Sequence, residues 1–118
     1  MSTKTPYLSA VGEYFHIYNR GVRRAEIFDS PANYDYFLEK VQGSLDKESV
    51  HIVCFCLMPN HFHFLFEQVQ QGGISEFMQQ VCNSYAKALN KQRGQSGHVF
   101  ESKYKIKLIE SDSYLIWL

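Results

Sequence analysis

The chain has 118 residues, which is the length of one ordinary domain. Hydrophobic residues make up 45% and aromatic residues 15%, which is enough apolar material for a folded core and excludes a disordered chain. Twelve basic and twelve acidic residues cancel, which excludes a uniformly basic nucleic-acid-binding protein. The longest apolar run has seven residues (52–58), against about 20 for a membrane-spanning helix, and the polar start of the chain does not resemble a signal peptide.

Hydrophobic periodicity divides the chain into strands and helices. Residues 1–12 have no periodicity and are expected to form a loose N-terminal arm ahead of one domain, 13–118. Alternation or a short apolar run predicts a strand, and apolar residues three and four apart predict a helix, as behind the helix start Ser30-Pro31. The predicted elements are a strand at 13–20, a helix at 31–46, a strand at 50–58, a strand at 61–67, a helix at 74–91 and a strand at 104–108. The run at 50–58 is nearly all apolar, which predicts a central strand.

This order of elements is typical of an α+β, ferredoxin-like β-α-β-β-α-β sandwich, with an antiparallel sheet and two helices on one of its faces. The start of a C-terminal helix is expected at Ser111 and Asp112, and we expect its end to lie beyond Leu118. Alternation sorts the strand residues onto two faces of the sheet. The face toward the helices is predicted to carry Phe15, Ile17, Phe62, Phe64, Phe66, Ile106 and Leu108. The open face is predicted to carry His16, Tyr18, His61, His63, Lys103, Lys105 and Lys107.

Two histidines of the predicted open face stand out chemically. His61 and His63 are two residues apart on a strand, so both imidazoles project the same way and can meet one divalent cation. A His-x-His pair in a strand is more often an ordinary surface feature than a metal site. The Pro59-Asn60 turn ahead of the pair and the basic residues around it favour the metal site here. His16 shares the face and is open to three interpretations: a third ligand, a DNA contact, or a surface or packing residue.

Basic residues concentrate in two segments despite the zero net charge. Three arginines lie between residues 20 and 24, and six basic residues against one acidic residue lie between 83 and 107. A solvated charged face and a surface for nucleic-acid phosphates both fit this distribution.

The three cysteines are an odd number, and Cys54 and Cys56 are poorly placed for a mutual disulfide. A reducing, cytoplasmic setting is therefore expected.

The segment from Met58 to Leu65, MPNHFHFL, resembles a known motif. It is similar to the histidine–hydrophobic–histidine (HUH) motif of the single-tyrosine transposases of the insertion-sequence 200 type, in particular those associated with repetitive extragenic palindromes (REP). Further segments follow in the matching order: YFHIYNRG at 14–21, the helix at 85–90, GHVFESKYK at 97–105 and Ser113-Tyr114-Leu115. The resemblance covers residues 13–118.

The resemblance implies a function in DNA transposition. His61 and His63 would hold Mg2+ or Mn2+ against a phosphate of single-stranded or hairpin DNA, and a tyrosine would attack to leave a 5′-phosphotyrosine. The DNA-contacting residues that it implies are Asn19, Arg20, Arg23, Asn60, Lys87, Lys103, Lys105 and Lys107. Tyr18 is expected to stack on a base. Relatives of this type include monomers and sheet-sharing homodimers, so both oligomeric states remain open.

The attacking tyrosine of the family lies about two turns into the final helix. Alignment on Ser113-Tyr114-Leu115 places that position a few residues beyond Leu118. Tyr114 is the alternative nucleophile within the chain, although it lies at the first turn of the expected helix. Tyr85 falls on the apolar stripe of the second helix and is expected to be a core residue.

Two other functions remain open on the sequence. One is a nucleic-acid-binding module without chemistry, because a four-stranded sheet with exposed aromatic residues is also how RNA-recognition modules bind. The other is a catalytically inactive or truncated relative. The histidine pair favours the enzyme, since base stacking does not need it.

Overall fold

Four strands and two α-helices account for most of residues 11–109, the part of the chain that the computed structural model describes. In chain order they are β1 (Tyr14–Arg20), α1 (Pro31–Ser44), β2 (Val50–Met58), β3 (His61–Gln68), α2 (Gly73–Arg93) and β4 (Lys105–Ile109). The sheet order is β2-β3-β1-β4, and every neighbouring pair is antiparallel. The predicted α+β ferredoxin-like fold is confirmed.

The register of the sheet determines which side chains share the open face. Tyr18 of β1 lies opposite His63 of β3 on one side and Lys105 of β4 on the other. His16, two residues earlier, lies opposite Lys107 of β4. Because directly opposed residues project to the same side of a sheet, these five side chains occupy one surface.

The opposite face of the sheet carries the aromatic core. Phe62, Phe64 and Phe66 of β3 are at most 1% exposed and pack against Phe37 of α1 and Phe77 of α2. Packing rather than helix propensity therefore supplies most of the stability of α1 and α2.

Two contacts fix α2 in this layer. The Tyr85 hydroxyl donates a hydrogen bond to the Ile27 carbonyl, and the Tyr85 ring is 1% exposed, so its predicted core role is confirmed. At the start of the helix, a Cβ atom on Gly73 would come within 2.3 Å of the Ser49 carbonyl oxygen, which explains the absence of a side chain there. Both contacts tie α2 to loops at the ends of the sheet.

The position of β2 differs from the prediction. The apolar run predicts a central strand, but β2 is an edge strand, and Val53 and Phe55 are 52% and 49% exposed. A register shift between Ile52 and Cys54 interrupts the pairing at Val53. Within residues 11–109 no strand pairs with the outer edge of β2. This open edge and the bulge expose residues whose apolar character resembles that of a buried strand.

Two predicted segments lie outside the described residues. The N-terminal arm is described only at Val11 and Gly12, where the Gly12 N–H donates to the Gln68 carbonyl at 2.7 Å. The C-terminal helix, including Tyr114, falls among residues 110–118, beyond the described part. Of the helices between residues 11 and 109, none has the length and apolar character needed to cross a bilayer.

Candidate functional site

The turn between β2 and β3 is braced by main-chain hydrogen bonds from two other segments. The Pro59 carbonyl accepts from the N–H groups of Ile27 and Phe28 at 2.8 and 2.9 Å. The Asn60 carbonyl accepts from the Gly21 N–H at 2.9 Å. A Cβ atom at Gly21 would meet a main-chain oxygen at 2.2 Å, so this close approach requires glycine. His61, the first residue of β3, follows the turn directly, so these hydrogen bonds also hold its main chain in place.

The two histidines of the motif point their rings to the same side of the sheet, as predicted. The His61 and His63 ring centroids are 5.1 Å apart and the rings are nearly perpendicular. The Nδ1 atom of His61 lies 2.7 Å from the Asn60 side-chain oxygen, and the Nδ1 atom of His63 lies 2.9 Å from Nε2 of His16. The Asn60 oxygen can only accept, so a His61 ring with one proton donates from Nδ1 in this contact and keeps the lone pair of Nε2 free.

The paired imidazoles favour the neutral form. Burial lowers the pKa of His16 to about 4, with repulsion from His63 and Lys107 as smaller causes. Burial also lowers the pKa of His63, and the neighbouring His61 lowers it further. A histidine must be neutral to bind a metal ion, so this environment suits ligands at neutral pH.

These shifts predict an acid-dependent loss of stability. A histidine with a lowered folded-state pKa binds fewer protons than it does in the unfolded chain, so unfolding becomes easier as the pH falls below 6.5. We expect the free energy of unfolding, measured with urea, to fall between pH 6.5 and pH 4, and to fall less in His16→Gln. The same change at the exposed His51 is the control. If His16→Gln and the wild type lost equal stability on acidification, the acid sensitivity could not be attributed to His16.

A cavity of about 540 Å³ opens beside the two histidines. It lies on the open face where β1, β3 and β4 meet the loops after β1 and before β4. Its lining residues are Tyr18, Asn19, Arg20, Arg24, Asn60, His61, His63, Glu101 and Lys105. Three basic side chains against one carboxylate make this cavity attractive to an anion.

The basic side chains of the cavity are not equally available. Arg20 forms a two-pronged ion pair with Glu101, with Nε–Oε1 and Nη2–Oε2 distances of 2.9 and 3.0 Å. The pair raises the pKa of Arg20 and lowers that of Glu101. Arg24 and Lys105 are exposed, so they can approach an anion more directly.

The sequence comparison decides the family. The family model of IS200-like transposases matches residues 10–117, nearly the entire chain. The chain belongs to this family. The predicted family relationship is therefore confirmed. A search of curated proteins finds no match.

Solved structures share the fold of this chain. A protein of Deinococcus radiodurans R1, described as a proposed transposase, superposes with a TM-score of 0.64 at 14% identity, covering 88% of this chain and 84% of its own. A REP-associated tyrosine transposase, solved bound to a REP hairpin, has a TM-score of 0.64 at 11% identity. That match covers 92% of this chain but 63% of the other, so this chain spans less than two thirds of that relative.

The structure brings together only some of the site residues predicted from the sequence. Those that line the histidine cavity are Asn19, Arg20, Asn60, His61, His63 and Lys105. Lys107 lies on the same open face, opposite His16. Arg23 is exposed in the 3-10 turn Val22–Arg24 and does not line the cavity.

Two predicted lysines lie away from the histidines. Lys87 is exposed on α2, which packs against the other face of the sheet. Lys103 precedes β4, its Nζ atom lies 5.6 Å from the Tyr104 ring centroid, and it lines a separate cavity. Any contact of these two lysines with DNA would therefore be outside the histidine cavity.

Two lining residues, Arg24 and Glu101, are not among the site residues predicted from the sequence. Arg24 belongs to the predicted basic segment, but the family resemblance implies Arg23 instead. Both arginines have positive φ angles, 55° at Arg23 and 62° at Arg24, and alternation rules cannot anticipate this uncommon conformation. Glu101 is the one acidic residue among the six basic residues between 83 and 107. This position in the sequence could have predicted that it pairs with a cation.

The donor set of the histidine pair fits a divalent cation in part. Two neutral imidazoles are common ligands for such ions. Within residues 11–109, no group of three or more histidine, cysteine, aspartate or glutamate side chains is arranged to hold a metal. A catalytic metal ion needs coordination positions for water or for phosphate oxygens in addition to its protein ligands.

Proposed function

We propose that this chain binds single-stranded or hairpin DNA on the open sheet face and catalyses its cleavage and strand transfer during DNA transposition. The observation that carries the proposal is the pair His61 and His63, with ring centroids 5.1 Å apart, beside a cavity with exposed cations. His61 and His63 would hold Mg2+ or Mn2+ through their Nε2 atoms. The ion would neutralise charge that builds on the phosphate oxygens in the transition state.

The proposed reaction is a transesterification. A tyrosine hydroxyl loses its proton and its oxygen bonds to phosphorus while the bond from phosphorus to the 3′ oxygen breaks. The 3′ oxygen takes up a proton, which leaves a 5′-phosphotyrosine and a 3′-hydroxyl. Reversal by another 3′-hydroxyl rejoins the strand without ATP. Within residues 1–118 the alternative nucleophile is Tyr114, which lies outside the described residues.

The surroundings of the cavity support a nucleic acid strand as the ligand. Arg24, Lys105 and Lys107 are exposed and offer positive charge to successive phosphates. Tyr18 on β1 lies directly opposite Lys105, with its ring centroid 5.8 Å from that of His63, and its partly exposed ring can stack on an unpaired base. The cavity volume of about 540 Å³ lies in the range of small-molecule pockets and is suitable for one nucleotide rather than a duplex.

The experiment that tests the proposal uses the 118-residue chain and a labelled DNA hairpin with a single-stranded flank. We expect Mn2+ to strengthen binding relative to EDTA, and a covalent protein–DNA band to form on a denaturing gel. Tyr114→Phe should remove the band if Tyr114 is the nucleophile, and Tyr18→Phe serves as the matched tyrosine variant. Equal binding of the hairpin in Mn2+ and in EDTA, without any covalent band, would instead favour a binding module without chemistry.

The Arg20–Glu101 pair leads to a prediction of tighter binding. Glu101→Gln removes a carboxylate from the cavity and frees the Arg20 guanidinium for phosphate. Because exposed ion pairs are worth about 1 kcal/mol or less, we expect hairpin affinity at low salt to rise by about fivefold or less, with a smaller gain at high salt. Fluorescence anisotropy measures both. Glu39→Gln, on the exposed side of α1, makes the same charge change elsewhere and should have little effect. An equal gain in both variants would contradict a local role of Glu101.

We also propose that two copies of the chain form a homodimer through the outer edge of β2. The outer edge of β2 presents Val53 and Phe55 to solvent, and an exposed apolar edge strand is suited to pairing with another strand. We expect light scattering to report a homodimer, and Val53→Lys to convert it to a monomer. A monomeric wild-type chain would contradict this part alone.

The proposed location is the cytoplasm. Cys54, Cys56 and Cys82 are all free, as they would remain in a reducing compartment. Burial raises the pKa of Cys82 to about 12, so this thiol is protonated and unreactive.

A further inference from the structure

A third histidine contacts the candidate metal-binding pair. His16 on β1 is 9% exposed, and its Nε2 atom lies 2.9 Å from Nδ1 of His63 on β3. The two rings stack with their centroids 5.1 Å apart, and Tyr18 packs on both, at 4.8 Å from His16 and 5.8 Å from His63. Neither imidazole can therefore turn away without disturbing this aromatic cluster.

The hydrogen bond between the two rings has only two possible directions when both are neutral. If His63 donates from Nδ1, its Nε2 keeps a free lone pair that can bind a metal. If His16 donates from Nε2, the proton of neutral His63 must be on its own Nε2, and no ligand atom remains there. The direction of one hydrogen bond thus decides whether His63 can be a ligand.

We propose that His16 is a positioning residue that accepts the hydrogen bond from Nδ1–H of His63 and thereby directs the Nε2 lone pair of His63 into the cavity. This inference rests on the proposed function in so far as a metal is to occupy that cavity. Asn60 acts on His61 in the same way, through its side-chain oxygen. Both ligand histidines are then preset in one tautomer by an acceptor outside the metal site, an arrangement that strengthens metal binding in other proteins.

The charges around His16 support its role as an acceptor. Lys107 lies directly opposite it on β4, and His63 lies beside it on β3, so the neighbouring strands place a cation and an imidazole next to this ring. The residue directly opposite His16 on β3 is Leu65, which is 3% exposed and carries no charge. A neutral His16 can offer its Nε2 lone pair to His63.

The test reads the tautomer of His63 directly, in the full chain without metal or DNA. Long-range ¹H–¹⁵N NMR correlations at pH 7.5 distinguish a proton on Nδ1 from one on Nε2, and a His63→Asn variant assigns the signals. We expect wild-type His63 to carry its proton on Nδ1. In His16→Phe, which keeps the ring but has no acceptor, we expect the proton to move largely to Nε2. His16→Gln, with an amide oxygen in reach, should restore the Nδ1–H form.

A second readout connects the tautomer to metal binding. We expect the affinity for Mn2+, measured by electron paramagnetic resonance, to fall about 10- to 100-fold in His16→Phe and to recover in His16→Gln. His51→Gln, at an exposed histidine on β2, should leave both the tautomer and the affinity unchanged. Backbone amide spectra check that each variant is folded.

The outcomes separate this inference from the proposed function. A proton on Nε2 of wild-type His63, or an unchanged tautomer in folded His16→Phe, would overturn the role of His16 even if Mn2+ binds. An Nδ1–H form that depends on His16 supports the positioning role, because the tautomer is measured without metal. Absence of Mn2+ binding in the wild-type protein would contradict the proposed function and leave that measurement intact.

Discussion

Replacing Phe64 with alanine is expected to lower the free energy of unfolding by about 3–5 kcal/mol. The Phe64 ring is 1% exposed and lies in the middle of β3, where its neighbours are the aromatic rings of Phe37, Phe62, Phe66 and Phe77. Rigid rings from both helices and from the same strand leave little room for the site to collapse. Urea unfolding followed by circular dichroism measures the loss, and an unchanged slope would show that the native state remains compact.

Phe55 provides a matched control for this loss. It lies directly opposite Phe64 on β2, with the ring centroids 5.9 Å apart, yet 49% of Phe55 is exposed because β2 is the edge strand. The same truncation there removes far less buried area, so we expect Phe55→Ala to cost about 1 kcal/mol or less. Comparable losses at the two positions would mean that β2 is covered in solution, which a second copy of the chain could explain.

The alternation of β3 makes the fold predictable. Phe62, Phe64 and Phe66 alternate with histidines and other residues of the open face, and this strict period of two is enough to assign the buried and open faces from the sequence. The strand–helix order adds the topology, because short connections and antiparallel pairing leave few arrangements. Local pattern and overall fold agree in this part of the chain.

The position of β2 is not predictable by the same reasoning. A nearly continuous apolar run is typical of a strand covered on both faces, and nothing within residues 50–58 indicates that one edge lacks a partner. The bulge at Val53 also depends on the pairing with β3 rather than on the local sequence. Edge position is a property of the whole sheet, so a single strand cannot reveal it.

Some contacts of the candidate site are predictable from the sequence and others are not. The histidines and Asn60 are close in sequence, so their proximity is predictable. The contact between His16 and His63 depends on the register of β1 against β3, which residue spacing does not determine. Arg24 reaches the cavity through a turn with positive φ angles, and the Arg20–Glu101 pair joins residues 81 positions apart. Long-range pairings of this kind require the folded chain.

The double variant His61→Ala/His63→Ala is expected to lose at least about 100-fold in Mn2+ affinity, since removing a residue that only orients a metal ligand already costs about 10- to 100-fold. Covalent protein–DNA product should fall below detection. Hairpin affinity in EDTA should change by less than about threefold, because most of the binding energy comes from phosphate contacts with cations that the variant retains. The matched control is His51→Ala/His98→Ala, at two exposed histidines that do not line the histidine cavity.

Measuring metal affinity, hairpin affinity and product on the same variant separates the two functions that the fold allows. A binding module would lose nothing measurable on removal of the pair, since base stacking by Tyr18 and contacts with Lys105 remain. A transposase would keep its hairpin affinity in EDTA and lose both metal and product. Retained Mn2+ affinity in the double variant, with the control unchanged, would show that the ion binds elsewhere, and it would remove the observation on which the proposed chemistry rests.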